Sequence, residues 1–130
     1  MLIKVPIFIT SVLLTVSCTD NYHSRMLIGS WLVVTTNQQN TILLKETYIF
    51  NTDKSFTINI EQTENNMTKK YSVSGKYYID GNILNYEALE SNHPYVPKGQ
   101  KDWNEILKID ENTSVTKSSK GEIVTAKRIN

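Results

Sequence analysis

The sequence predicts an all-β domain in which eight antiparallel strands form a meander that closes into an up-and-down barrel. Apolar residues recur at every second position in short runs, and a turn signal follows nearly every run. No segment shows a sustained apolar stripe with the 3.6-residue period of a helix. Consecutive short connections favour hairpins, and closure removes both exposed sheet edges. A β-sandwich or a half-open sheet is the alternative.

The first strands show how the alternation works. Trp31 lies on the apolar face of the first run, and Leu44, Tyr48 and Phe50 share a face of the second, which Glu46 interrupts. The third and fourth runs alternate cleanly. In order, the predicted strands are Ser30–Asn37, Thr41–Phe50, Ser55–Gln62, Tyr71–Ile79, Ile83–Leu89, Trp103–Ile109, Thr113–Lys117 and Glu122–Ile129.

Turn residues separate these runs. Asn51–Lys54 and Asn65–Asn66 are rich in side chains that bond to the local backbone. Asp80–Asn82 is the strongest hairpin signal, because Asp-Gly accepts the positive φ of a type I′ turn. Gly75 falls on the apolar face of its strand and predicts a bulge or a sharp bend. The one long loop is Glu90–Asp102.

The N-terminus precedes the fold and is interpreted separately. Val5–Val16 is an apolar run behind Lys4. It is shorter than the roughly 20 residues of a membrane-spanning helix and matches the about 7–15 residues of a secretory signal. Cys18, the only cysteine, follows directly. Leu14–Cys18 resembles the lipobox of bacterial lipoproteins, which implies cleavage before Cys18 and its acylation, with palmitate as a typical chain.

Three segments result: a lipoprotein signal peptide at 1–17, a lipidated tether at 18–26 and the barrel domain at 27–130. The resemblance implies a lipid anchor in the bacterial cell envelope. Thr19, directly after the cysteine, favours the outer membrane, on its periplasmic or surface face, over the inner membrane. In the alternative interpretation, Cys18 is an ordinary residue of a signal peptide that is cleaved elsewhere.

The start of the first strand reads Ile28-Gly29-Ser30-Trp31. A Gly-x-Trp at this point of an eight-stranded meander resembles the lipocalin signature, and Gly75–Asn82 is similar to a segment of small lipocalin-like domains in bacterial lipoproteins. The resemblance covers Leu27–Asn130. It implies that Gly29 bends the chain into the barrel, that Trp31 closes the barrel floor and that Arg128 packs across the indole.

The composition excludes several classes of function. Hydrophobic residues make up 39% of the chain and charged residues 21%, which excludes a disordered chain and a polytopic membrane protein. The formal net charge of +1 is far from the basic balance of a nucleic-acid-binding domain. No nucleic-acid partner is expected, and we expect a monomer.

Motifs for chemistry are scarce. The two histidines, His23 and His93, are too few for a zinc site, which needs about four ligands. No phosphate-binding glycine motif occurs, so no cofactor is expected. Ser91, His93 and Asp102 could be drawn as a catalytic triad, but a proline-containing loop does not promise the rigid geometry that catalysis needs. We therefore expect neither catalytic residues nor a metal, and no enzyme.

Two functional hypotheses remain, because an eight-stranded barrel can hold one small ligand or be filled with side chains. The first is a membrane-tethered module that binds a small apolar or amphipathic molecule. The second is a filled barrel that contacts an envelope protein, as an inhibitor or immunity-type lipoprotein does. A cavity of about 300 Å³ or more favours the first. The candidate contacts, which could equally be ordinary strand aromatics, are Tyr48, Tyr78, Tyr86, Tyr95 and Trp103.

Overall fold

The computed structural model describes residues 22–130, in which eight antiparallel strands form one closed barrel. Each strand pairs with the next along the chain, and the first pairs with the last through Trp31–Arg128 and Leu32–Lys127. The predicted barrel is therefore confirmed, and the open and sandwich alternatives are excluded. The strands are β1 Gly29–Thr36, β2 Ile42–Phe50, β3 Ser55–Glu64, β4 Met67–Asp80, β5 Ile83–Ser91, β6 Lys101–Ile109, β7 Thr113–Ser118 and β8 Ile123–Arg128.

The strands differ from the predicted ones mainly in length. β4 begins at Met67 rather than Tyr71, because a polar stretch continues the ladder with β3 up to the Glu64–Met67 pair. β5 and β6 both extend into the predicted long loop, which shortens it to residues 92–100. Backbone pairing does not require an apolar face, so strand ends can lie beyond the apolar alternation.

The type I′ turn lies at a different hairpin from the predicted one. Gly81 has a φ of 63°, but Asn82 is not among the described residues with positive φ, so Asp80–Ile83 does not enclose a type I′ turn. The Asn82 carbonyl accepts a hydrogen bond from the Ile106 N–H of β6 (2.7 Å), and this bond fixes the backbone of Asn82. At the β3–β4 hairpin, Asn65 and Asn66 both have positive φ, 53° and 62°.

Gly75 produces the predicted irregularity. The pairing of β4 with β5 shifts register between Ser74 and Gly75. A Cβ atom at Gly75 would overlap the carbonyl oxygen of Glu87, so the two backbones approach in a way that only glycine allows. This bulge increases the local bend of the sheet.

The barrel has two distinct ends. One, which we call the closed end, carries the connections 51–54, 81–82 and 110–112 and a helical segment at 22–27. The other, the open end, carries the connections 37–41, 65–66, 92–100 and 119–122.

The helical segment lies within and just beyond the range assigned to the tether. Its Tyr22 hydroxyl donates to the Ile109 carbonyl (3.0 Å), and His23 Nδ1 lies 2.9 Å from the Gly81 carbonyl oxygen. Leu27 is buried. The structured part of the chain thus begins before residue 27, and Cys18 and the signal segment lie outside the described residues. Within residues 22–130, no helix combines the length and apolar character needed to cross a membrane.

Candidate ligand cavity

The barrel interior contains a cavity of about 360 Å³. Side chains from all eight strands line it, so it runs along the barrel axis rather than between two elements. Ligand pockets in proteins typically measure about 300–1,000 Å³, and this cavity lies at the lower end of that range. The interior is therefore not fully packed with side chains.

Trp31 forms the floor of this cavity at the closed end. Only 2% of its surface is exposed, and its indole N–H donates to the Leu27 carbonyl (2.8 Å). The guanidinium carbon of Arg128 lies 4.2 Å from the indole centroid. This is the packing that the resemblance implies. Arg128 also donates to the carbonyls of Glu111 (2.6 Å), Ile28 (2.6 Å) and Met26, and so joins the helical segment, the residue that precedes β1 and the β6–β7 connection.

Gly29 makes this approach of Arg128 possible. Its φ is +125°, a conformation that side chains rarely adopt. A Cβ atom there would lie 2.5 Å from Arg128 Nη1 and 2.9 Å from the Asn130 carbonyl oxygen. Any larger residue would displace the arginine from the indole.

One side of the cavity is apolar. The inward faces of β1, β3 and β4 alternate as the sequence predicts, and aromatic and aliphatic groups of β1 to β5 contact one another there. The Phe56 and Tyr86 rings meet edge to face at 5.9 Å, and Phe50 meets Tyr77 at 5.2 Å. The apolar lining of these strands consists of Trp31, Val33, Phe50, Phe56, Ile58, Ile60, Val73, Leu84 and Ala88.

The other side carries polar groups. Ser114, Thr116 and Ser118 of β7 line the cavity, as do Asn104 and Gln100. The strand β7 therefore presents hydroxyl groups to the interior, whereas the lining residues of β1, β3 and β4 are apolar. A molecule in the cavity would meet a wall that binds apolar surface and a wall that forms hydrogen bonds.

On β2, a carboxylate and a phenol that both line the cavity form a hydrogen-bonded pair. The Tyr48 hydroxyl donates to Glu46 Oε2 (3.0 Å). Burial raises the pKa of Tyr48 well above its ordinary value, and the negative charge of Glu46 and this hydrogen bond raise it further. The phenol is therefore protonated at neutral pH and acts as a donor.

Tyr86 is a second phenol on the lining. Burial raises its pKa to about 12, assisted by the charge of Asp102 and a hydrogen bond to that carboxylate. Asp102 Oδ1 also accepts from the Ser119 hydroxyl (2.7 Å). These contacts tie β5, β6 and the β7–β8 connection together near the open end.

Two of the five candidate contact residues line the cavity, namely Tyr48 and Tyr86. The other three, Tyr78, Tyr95 and Trp103, do not line it. Tyr78 (62% exposed) follows the buried Tyr77, so alternation turns it outward. Trp103 (44% exposed) pairs with Asn85 on the outer face, and Tyr95 (85% exposed) lies on the 92–100 loop.

The side chains drawn as a triad accept hydrogen bonds from backbone N–H groups. His93 Nδ1 accepts from the Tyr95 N–H (3.1 Å), and Ser91 Oγ accepts from the His93 N–H (3.1 Å). The His93 ring meets Tyr71 at 4.8 Å. Among residues 22–130, no group of three or more His, Cys, Asp or Glu side chains is placed to hold a metal ion.

Glu46 is a cavity residue that was not among the contacts predicted from the sequence. The signal was present, because this carboxylate interrupts an otherwise apolar face between Leu44 and Tyr48. A charged residue in phase with inward-facing neighbours points into a barrel rather than away from it. Glu46 lines the cavity as this phase requires.

Comparisons with known proteins identify the fold. No family model matches the chain, and no curated protein matches it. Among solved structures, it is similar to a lipocalin-like protein from Bacteroides uniformis, with 15% sequence identity and a TM-score of 0.57. The match covers 80% of this chain and 99% of that one. The fold is lipocalin-like.

Proposed function

We propose that the barrel binds one small apolar or amphipathic molecule in its cavity. The observation that supports this is an interior of about 360 Å³ whose walls and floor are mostly apolar and carry a smaller set of hydroxyl and carboxylate groups. Apolar burial would supply most of the affinity, and the polar groups would orient the molecule. The proposal assigns binding and no catalysis.

The filled-barrel alternative is less well supported by this interior. A barrel that acts only through its outer surface has no need of a cavity, whereas a binding barrel does. The exposed loop 92–100 would be the surface to test if no small molecule bound.

A neutral fluorescent dye tests the cavity. N-phenyl-1-naphthylamine should gain fluorescence on titration with the protein. Ala126→Leu, which adds bulk to a buried cavity-lining position, should weaken this binding at least about tenfold, because it removes volume from the site. Thr125→Leu places the same side chain at the neighbouring position on the exposed outer face and should leave dye binding unchanged. Circular dichroism would check that both variants fold.

The proposal would be contradicted if the wild-type protein bound no dye. It would also be contradicted if a folded Ala126→Leu variant bound the dye as well as Thr125→Leu does.

We further propose that Cys18 is acylated and tethers the domain to a membrane of the bacterial cell envelope, with the outer membrane favoured over the inner one. Each buried methylene contributes about 0.8 kcal/mol, so several acyl chains hold a protein securely. In a bacterial host, an alkyne analogue of palmitate should label the wild-type protein and not Cys18→Ala. The variant should move from the membrane fraction to soluble or uncleaved forms. A wild-type chain that stays unlabelled would refute the anchor.

A further inference from the structure

We propose that the molecule in the cavity carries a cationic group that donates hydrogen bonds, such as an ammonium, and that Glu46 is its anionic partner. This inference rests on the proposed binding function. It names the chemical class of the ligand, a cationic amphiphile, and the residue that selects it.

Glu46 lies between apolar residues of the neighbouring strands. Its neighbours across the ladder are Val33 on β1 and Ile60 on β3, and both are buried apolar residues of the core. Glu46 is itself half-buried, so its carboxylate gives up part of its hydration, and this costs free energy unless a partner replaces the water. A position that could hold another aliphatic side chain instead holds a charge.

The carboxylate of Glu46 keeps free hydrogen-bond acceptor capacity. Tyr48 donates one hydrogen bond to Oε2. An ionised carboxylate offers about four lone-pair sites, so one phenol leaves acceptor capacity for a ligand. Because Tyr48 is held protonated by burial and by this charge, it orients the carboxylate without neutralising it.

The charged groups that line the cavity are negative. The charged side chains that line the cavity are Glu46 and, near the open end, the exposed Glu122, and no Lys, Arg or His of residues 22–130 lines it. Both charges favour a cation and disfavour an anion at this site. The rings of Tyr48, Phe56 and Tyr86 line the same space and can add cation–π contacts.

Three probes with the same ten-carbon tail separate head-group charge from apolar burial. n-Decylamine, 1-decanol and decanoate would each displace N-phenyl-1-naphthylamine from the wild-type protein, at concentrations below micelle formation. We expect the amine to bind at least about tenfold more tightly than the alcohol, since hydrogen bonds to charged groups discriminate on this scale, and decanoate to bind most weakly.

Glu46→Gln tests the assigned residue. The amide oxygen can still accept from Tyr48, so the variant removes charge and keeps the shape of the side chain. Its affinity for decylamine should fall about tenfold, and its affinity for decanol should stay within about twofold of wild type. Glu61→Gln makes the same charge change outside the cavity, at the exposed ion pair with Lys70, and should alter neither affinity.

The outcomes distinguish the two proposals. If the dye and all three probes fail to bind the wild-type protein, the binding function itself fails. If they bind but the amine is no tighter than the alcohol, or if Glu46→Gln weakens both equally, the inference of a cationic ligand is overturned and binding stands. The wild-type ranking decides the matter even if the variant does not fold.

Discussion

At the scale of single residues, Trp31 and Arg128 pack against each other at the closed end of the barrel and hold its elements together. The indole fills the floor, and the guanidinium packed against it donates to carbonyls of the helical segment, of the residue before β1 and of the β6–β7 connection. The same arginine also closes the sheet, since Trp31 and Arg128 are paired between β1 and β8. Loss of either residue should therefore weaken packing and closure together.

Trp31→Ala should be the most damaging of three substitutions. Truncation of a large buried aromatic costs about 3–5 kcal/mol, and a domain has only about 5–15 kcal/mol of stability. Arg128→Ala should cost less, about 2–4 kcal/mol, from the lost stacking and the carbonyls left without a donor. Trp103→Ala, on the outer face, should cost about 1 kcal/mol or less.

Denaturant midpoints of the three variants measure this order. If Trp31→Ala were as stable as wild type, the floor assignment would fail. If Trp103→Ala were the most damaging, the barrel would be stabilised mainly from its outer surface.

At the scale of elements, the hairpins set the register of the barrel. The β3–β4 hairpin is the longest, with its ladder running from Ser55–Lys76 to Glu64–Met67 around Asn65 and Asn66. Both asparagines adopt positive φ, which asparagine tolerates better than most residues and glycine adopts without cost. The Asn-Asn pair therefore adopts the type I′ turn at a higher conformational cost than Asn-Gly would.

Asn66→Gly should stabilise the protein by about 0.5 kcal/mol, because Asn-Gly is the preferred pair for a type I′ turn. Thr63→Gly, within β3 and beside the same turn, should destabilise it by about 0.5–1 kcal/mol, because glycine weakens a strand interior. Thermal unfolding of both variants would measure the difference. An Asn66→Gly variant less stable than wild type would show that the asparagine side chain is needed there.

At the scale of the whole molecule, closed-end turns link stability to pH. Asp53 Oδ1 accepts from the Ser55 hydroxyl (2.5 Å) and N–H (2.9 Å), and Asp110 Oδ1 accepts from the N–H groups of Asn112 and Thr113 (both 2.8 Å). These hydrogen bonds lower the pKa of both carboxyls below 3.8.

Because both folded pKa values lie below the unfolded ones, ionisation of these carboxyls stabilises the fold above about pH 4, and the contribution disappears as the pH falls through the lower folded values. Denaturant midpoints should therefore fall as the pH is lowered from 5 to 2. The Asp53→Asn, Asp110→Asn double variant should show a shallower decline, since its amides still accept hydrogen bonds but do not titrate. An equal slope would place the acid sensitivity elsewhere.

Much of this architecture could be predicted from local pattern. Strand order, the positions of the turns and the inward faces of β1, β3 and β4 follow from period-two alternation, which is a property of the extended backbone itself. Gly75 was recognisable as a bulge because it interrupts an apolar face. The same alternation could have placed Tyr78 outside, since it follows Tyr77.

The sequence by itself determined which side chains face inward, whereas only the tertiary structure decided how much space they leave. A cavity is the difference between the interior set by strand number and shear and the summed volume of side chains from all strands. No local window contains that difference. Glu46 and Tyr48 share a face of β2 by alternation alone, whereas the enclosure of that face in one cavity with the hydroxyl groups of β7 required β1 to pair with β8.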